Sequence, residues 1–311
     1  MMLEEKQKTD SLHITVLKNE AIDALQVVPG KWHIDATSGG GGHTQEILNR
    51  GGKVLGFDQD ADAVERLNQR FAGNSSVRIV NRSFEHLKEV VELQDIEISG
   101  VLFDLGLSSD QLDKSHRGFS FLENSPLDMR MDKRNAVTAA DLVNGLTERE
   151  LTILLSTYGE VFMPKRIAQA IVKARDICPL LTTGDLAKVV EKAYGSRWSR
   201  NISPSTQVFQ ALRIAVNDEL EVLKTGLSQA MDIASKGARI VVISFHSLED
   251  RIVKQYFKQE SKDCICRDII CTCKHTAKLK LLNKKPILPS EEEQKINRRS
   301  RSAKARQAQK I

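Results

Sequence analysis

Four consecutive glycines, Gly39 to Gly42, stand between two acidic residues that each end an apolar run, Asp35 and Asp58. The first run is Trp32–Asp35 and the second is Val54–Asp58, with a helix-compatible segment from Thr44 to Asn49 between them. Strand, glycine turn, helix, strand, acid is the order of a nucleoside-binding α/β unit. Glycines let the backbone approach a ligand because no Cβ stands in the way. Asp58 falls roughly twenty residues past the glycines, where a carboxylate accepts hydrogen bonds from ribose hydroxyls. A dinucleotide fingerprint needs Gly or Ala where Thr44 stands, so the loop fits a nucleoside site better than a pyrophosphate clamp. A further acid, Asp104, ends a later apolar run, Gly100–Asp104. Ligands of open α/β sheets sit at the carboxyl ends of strands, which suits Asp104 to contact a cofactor or orient an acceptor amine.

A second group of reactive residues lies near the end. Cys264, Cys266, Cys271 and Cys273 are spaced CxC-x4-CxC. Four thiolates make a tetrahedral zinc site, although CxC is tighter than the usual CxxC knuckle. A structural zinc and free thiols both stay open. A catalytic zinc of the deaminase kind is not expected, since its H-x-E motif is absent. His246 follows an apolar strand, as a helix-start hydrogen-bonding group or a substrate contact.

These residues need elements to hold them. Trp32–Asp35, Val54–Asp58, Val77–Val80 and Gly100–Asp104 read as parallel strands, with helical segments Thr44–Asn49, Ala61–Phe71 and Phe84–Leu93 in the gaps. From about Leu112 to Pro204 helical signals dominate. They include Ala139–Val143, a helix over Glu148–Tyr158 opened by a Thr147/Glu150 capping box, and Pro164–Arg175. Another runs to Tyr194, capped by Thr183 or Asp185. Ser205–Ala234 reads as one long amphipathic helix ended by Gly237, and Ala238–Phe245 as a buried strand. Ser247 is the expected cap of the next helix, with Asp250 at the capping-box position. The expected architecture is therefore α/β, with a helical domain, residues 112–204, inserted between 1–111 and 205–290. The segment 291–311 reads as a mobile basic tail.

Bulk properties narrow the class. The 311 residues are 41% hydrophobic and 28% charged, as in a soluble globular protein, with a formal net charge of +5. The polar, acid-rich first ten residues do not read as a signal peptide. The most apolar run, Ala238 to Phe245, is too short to cross a bilayer, so no membrane partner is expected. Five cysteines without a leader fit a reducing compartment, and the cytoplasm is the expected location.

The motifs, in order, give the chain a relation. They are Asp35-Ala36-Thr37 through Gly41-Gly42-His43, then Phe103-Asp104-Leu105-Gly106-Leu107-Ser108-Ser109-Asp110-Gln111-Leu112-Asp113, then Arg117-Gly118-Phe119-Ser120-Phe121. Pro126-Leu127-Asp128-Met129-Arg130-Met131-Asp132, Phe209-Gln210-Ala211-Leu212-Arg213-Ile214 and Ile243-Ser244-Phe245-His246-Ser247-Leu248-Glu249-Asp250-Arg251 follow. The chain resembles the bacterial RsmH (MraW) family, almost end to end. The resemblance implies a Rossmann-like class I methyltransferase sheet. It also implies methyl transfer from S-adenosylmethionine to the exocyclic N4 of a cytidine in the decoding region of small-subunit (16S) ribosomal RNA. The partner would be the assembled or partly assembled small ribosomal subunit, and a homodimer is left open. Other readings are a ribosome-assembly factor without catalysis, which would show damaged cofactor residues, and a nicotinamide-dependent oxidoreductase, which would show a pyrophosphate loop.

By resemblance the cofactor set is Gly41, Gly42, His43, Asp58, Phe84, Asp104 and Gln111, with Asp104 also the candidate catalytic residue. Phe84 would cover the adenine and Gln111 would meet the methionine end. The acceptor base needs an aromatic platform, for which Phe119 and Phe121 compete with simple core packing. Two departures stand out. Ser203-Pro204-Ser205-Thr206-Gln207 replaces a His-Pro-Ala-Thr-Arg run, removing a His and an Arg. Asn297-Arg298-Arg299 stands where Asn-Pro-Arg is usual. Arg298, Arg299, Arg301, Lys304 and Arg306, with Arg130, Lys133 and Arg134 of the insertion, are the expected phosphate contacts.

Overall fold

The computed structural model describes residues 15–108, 111–112, 116–195, 203–266 and 272–311. Strands β1 (Trp32–Asp35), β2 (Lys53–Phe57), β3 (Val77–Val80), β4 (Ile98–Asp104) and β5 (Ala234–Ser244) run parallel. β6 (Leu279–Leu281) and β7 (Lys304–Lys310) complete a seven-stranded sheet in the order β3-β2-β1-β4-β5-β7-β6. β7 is antiparallel to both neighbours. The order reverses beside β1, and a crevice opens there at the carboxyl ends of β1 and β4.

Each central strand is buried on both faces, so its side chains alternate between two cores. Val101 and Phe103 of β4 face one apolar cluster, and Leu102 faces the other. The first cluster takes in α4 (Leu87–Gln94), α10 (Glu219–Ile233) and α11 (Ser247–Glu260) through Leu87, Leu223, Leu227 and Phe257. The second is covered by α1 (Lys18–Leu25) and α2 (Gly42–Asn49), through Ile22, Leu25 and Ile47. α3 (Ala61–Arg70) links β2 to β3 and is capped by Asp60, whose side chain accepts from the Asp62 N–H.

A third apolar cluster is mainly helical, with Phe119, Leu127, Met129, Met131, Val161 and Leu180 added from the connecting segments. It joins α5 (Ala139–Gly145), α6 (Glu148–Gly159), α7 (Pro164–Arg175), α8 (Thr183–Tyr194) and α9 (Ser205–Asn217). Reciprocal capping boxes open three of them: Thr138 with Asp141, Thr147 with Glu150, and Thr182 with Asp185. The Thr147 box is the expected one, whereas the cap of α8 falls one residue before Thr183. Val208, Phe209 and Leu212 of α9 pack into this helical cluster, so packing ties α9 to the helices that precede it.

Three expectations are corrected. The single helix over Ser205–Ala234 is two helices, broken at Asp218, which takes a left-handed conformation with φ 47°. A short polar side chain tolerates that conformation, and the break leaves no mark in the apolar periodicity. The cap of α11 is His246, with Glu249 at the third position, in place of Ser247 with Asp250. The segment 291–311 is not a free tail. Lys304–Lys310 forms β7, pairs with β5 from Arg239↔Gln309 to Ser244↔Lys304, and buries Ala305 and Ala308 completely. Glu293, upstream of β7, accepts a 2.8 Å hydrogen bond from the Leu17 N–H, tying both ends of the described chain together.

Candidate active site

The carboxyl ends of β1, β2 and β4 and the start of α2 line a cleft of about 380 Å³. Gly42, His43, Asp58, Phe84, Asp104 and Gln111 all reach it. Gly41 does not. It caps α2 at φ 78°, and a Cβ there would lie 2.8 Å from Leu67 and 3.0 Å from Phe71 on the α3 side. Gly41 therefore makes the turn and the α3 contact, while Gly39, at φ 49°, lines the cleft.

Asp58 holds the glycine loop. One carboxylate oxygen accepts the Gly39 N–H at 2.9 Å and the other the Asp60 N–H at 2.8 Å. Each oxygen keeps a second lone pair for a ligand hydroxyl. Burial pushes the carboxyl up to about 6 despite those two donors.

Asp104 and His43 form the floor. His43 Nε2 lies 3.3 Å from Asp104 Oδ2, with the two side chains 4% and 22% exposed. Burial alone would lower the His43 pKa. The Asp104 carboxylate, helped by the charge of Asp35, overrides it and holds the imidazole above its ordinary value. The Thr37 hydroxyl accepts the Asp104 N–H at 2.6 Å and fixes the end of β4. Asp35 stands behind them, accepting from the Thr44 hydroxyl at 2.6 Å, and burial raises its pKa. Asp104 Oδ1 and His43 Nδ1 are buried without a hydrogen-bond partner. Buried polar groups are rarely left so, and two of them on a cleft wall fit a ligand with its own donors and acceptors.

Gln111 is held by its neighbours. Its Nε2 donates to Asp60 Oδ2 at 3.2 Å, and its Oε1 accepts the Ser108 N–H at 3.1 Å. Arg117 donates to the same Asp60 oxygen and, at 3.1 Å, to the Met131 carbonyl. This Asp60–Gln111–Arg117 network joins the sheet to the helical layer, and the sequence reading missed Asp60. Phe84 packs edge-on against Phe103, ring centroids 5.3 Å apart, and a Cβ on Gly226 of α10 would come within 2.5 Å of its ring.

Phe119, Phe209, Gln210, Arg213, Asn297 and Arg299 line the same cleft. Phe121 also reaches it, with its ring edge-on to Phe209 at 5.1 Å. Phe119 and Phe121 both take the expected packing role in the helical cluster, and both also border the cleft. Arg213 grips Glu219 through bonds of 2.8 and 2.9 Å. Burial would lower its pKa, but Glu219 outweighs that and raises it. Burial would likewise raise Glu249, yet His246 and Arg213 hold it low. His246 takes the structural role, accepting the Glu249 N–H at 3.4 Å through Nδ1. Of the departures, Gln207 turns to the Glu160 carbonyl at 3.3 Å, and the Ser203 hydroxyl accepts the Ser205 N–H at 3.3 Å.

The expected phosphate contacts divide. Arg130 pairs with Asp128 at 2.8 Å, Lys133 with Asp62 at 2.7 Å and Arg134 with Asp132 at 2.7 Å. Arg306 is buried against Asp250 at 2.6 Å, and Lys304 lies 3.9 Å from the same carboxylate. Arg298, Arg299 and Arg301 are exposed, as are Lys133 and Arg134, and Arg299 lines the cleft. Cys264, Cys266 and Cys273 cluster away from the cleft, and Cys271 lies outside the described residues.

A sheet in this order, with an antiparallel strand inside one edge, an inserted helical layer and a cleft past its parallel strand ends, defines a class. It is the Rossmann-like class I of S-adenosylmethionine-dependent methyltransferases. Within that class the chain belongs to the MraW methylase family, whose profile matches residues 10–311. It is similar to three proteins named ribosomal RNA small subunit methyltransferase H. The one from Dehalococcoides mccartyi (strain BAV1) is 47% identical over 306 residues, covering 96% of this chain and 86% of the relative. The Clostridioides difficile protein is 46% identical over 308 residues, covering 96% and 99%. The Carboxydothermus hydrogenoformans protein is 46% identical over 304 residues, covering 96% and 98%.

Proposed function

We propose that this enzyme methylates the exocyclic N4 of a cytidine in the decoding region of small-subunit ribosomal RNA, with S-adenosylmethionine as donor. The observation that carries the reading is the continuity of the cleft. Gly39, Asp58 and Phe84, which suit a nucleoside, line the same cleft as Asp104, Phe119, Phe209 and Arg299. A donor and an acceptor base fit on opposite sides of Asp104. S-adenosylmethionine supplies an electrophilic methyl on a sulfonium, which leaves as the neutral thioether.

The residues of the chain then have distinct tasks. Asp58 binds ribose hydroxyls and Phe84 covers the adenine. Gln111 is oriented by Asp60 toward the methionine end. His43 holds the Asp104 carboxylate in place, leaving Oδ1 as a buried acceptor. The cytosine N4 lone pair is delocalised into the ring, so an acceptor at the amine localises it, stabilises the positive charge that develops as the new N–C bond forms, and takes the proton the amine gives up. Alignment of sulfur, methyl and nitrogen on one axis supplies much of the rate. Phe119 or Phe121 stacks the base, and the exposed cations Arg298, Arg299 and Arg301 meet backbone phosphates.

Residues 112–204 act as an inserted domain that, with α9, covers the acceptor half. The substrate is met in the cytoplasm, presented by an assembled or partly assembled subunit. No helix among the described residues is long and apolar enough to cross a membrane. The test is incubation of the purified chain with labelled donor and subunits lacking this methyl group, followed by nucleoside mass spectrometry. Label in 4-methylcytidine is expected. Label only on a ring carbon or a ribose refutes the N4 assignment, and efficient methylation of a short free oligonucleotide refutes presentation by the subunit.

A further inference from the structure

The connection between α11 and β6, residues 261–278, contains no helix or strand among its described residues. Connections longer than about 12–15 residues without secondary structure are uncommon in compact domains and need something to hold them. This one carries the edge strand β6, and its end is fixed by a 2.8 Å bond from the Lys278 N–H to the Glu260 carbonyl. Its middle gathers thiols. The sulfurs of Cys264, Cys266 and Cys273 all lie within 4.8 Å of one another. Cys264 and Cys273 are 3.8 Å apart at sulfur. That is far beyond a disulfide bond of about 2.05 Å. It matches a shared tetrahedral ion, because zinc–sulfur bonds of about 2.3 Å set neighbouring sulfurs about 3.8 Å apart.

A second feature points the same way. Each of the three sulfurs accepts a backbone N–H: Cys264 from Cys266 at 3.4 Å, Cys266 from Thr272 at 3.3 Å, and Cys273 from His275 at 3.4 Å. Peptide N–H groups aimed at sulfur favour the thiolate, which is the metal-binding form. Soft sulfur donors select zinc over the hard divalent cations.

We infer that Cys264, Cys266 and Cys273 hold a structural zinc ion that closes the α11–β6 connection on itself. None of the three lines the cleft, so the ion takes no part in methyl transfer. Its binding releases the thiol protons and closes the loop between them.

The experiment uses the full chain without a histidine tag, grown with zinc and passed through gel filtration without chelator. Elemental analysis should find one zinc per chain. The C264S and C273S variants should fall below a tenth of that, while C178S, which alters the exposed cysteine elsewhere, should keep it. Cobalt(II) exchanged into the wild-type protein should give an intense near-ultraviolet sulfur-to-metal band, absent after C264S. This reading stands even if a serine variant folds poorly. Donor affinity measured beside the metal content should be unchanged in C266S, which separates this site from the cleft. Folded wild-type protein without zinc or a cobalt–sulfur band would overturn the inference. So would a chain two hydrogens lighter with a disulfide among these cysteines, or zinc retained by the triple serine variant.

Discussion

Arg306→Ala tests whether the end of the chain is part of the fold. Arg306 and Asp250 are 10% and 15% exposed at the side chain and are joined by bonds of 2.6 and 3.1 Å. Removing one partner of a buried pair leaves the other charge uncompensated and costs about 3–5 kcal/mol. Lys304, 3.9 Å from the same carboxylate, remains and offsets part of this. The expected loss is therefore near the lower end, about 3 kcal/mol. For a chain of this size each kcal/mol moves the melting point by about 2 °C, so the midpoint should drop by about 6 °C. Asp250→Ala should cost a similar amount. The double variant should lose less than the sum, with a coupling of about 1–3 kcal/mol. Thermal and urea unfolding followed by circular dichroism read both. An unchanged midpoint in Arg306→Ala, or strictly additive losses, would refute the buried pair and return Lys304–Lys310 to the status of a solvated RNA-binding end.

Other outcomes follow from the cleft. Asp104→Asn removes the carboxylate that holds His43 above its ordinary pKa, so burial takes over and the imidazole should titrate below 6.5, as histidine NMR would show. Asp58 keeps its proton up to about pH 6, while ribose donors favour the carboxylate, so donor affinity by calorimetry should rise with pH through about 6 and then level, by at most about tenfold per unit. The same raised pKa makes Asp58 lower stability as pH climbs from 3.8 to about 6, because the unfolded chain releases the proton first. Gly226→Ala should displace the Phe84 ring, which its Cβ would meet at 2.5 Å, and weaken donor binding by about tenfold, or about 1.4 kcal/mol, with the fold retained. Truncation after Glu293 removes β7 together with Asn297 and Arg299, so it should lose the folded state and donor binding alike; an intact melt would contradict the sheet order.

What the sequence made legible was local. Asp35 and Asp104 each end a strand and Asp58 directly follows one, beside apolar runs and turns that lie within a few residues. Thr147 and Glu150 announce a helix start because a capping box spans only four positions. The misses involve information held elsewhere in the chain. Asp60 reaches Arg117 across 57 residues, and neither residue's own surroundings mark the pair. β7 reads Lys304-Ala305-Arg306-Gln307-Ala308-Gln309-Lys310, with little apolar content, yet it is an inner strand. Its strand character comes from β5 and β6 on either side, and its alanines suit a position where larger side chains already fill both cores. Arg306 could be read from the chain alone only as a surface cation, since Asp250, the partner that permits its burial, lies 56 residues away. Placing this strand inside the sheet brings the preceding Asn297 and Arg299 to the cleft wall, so the final basic segment shapes the cleft as well as supplying charge.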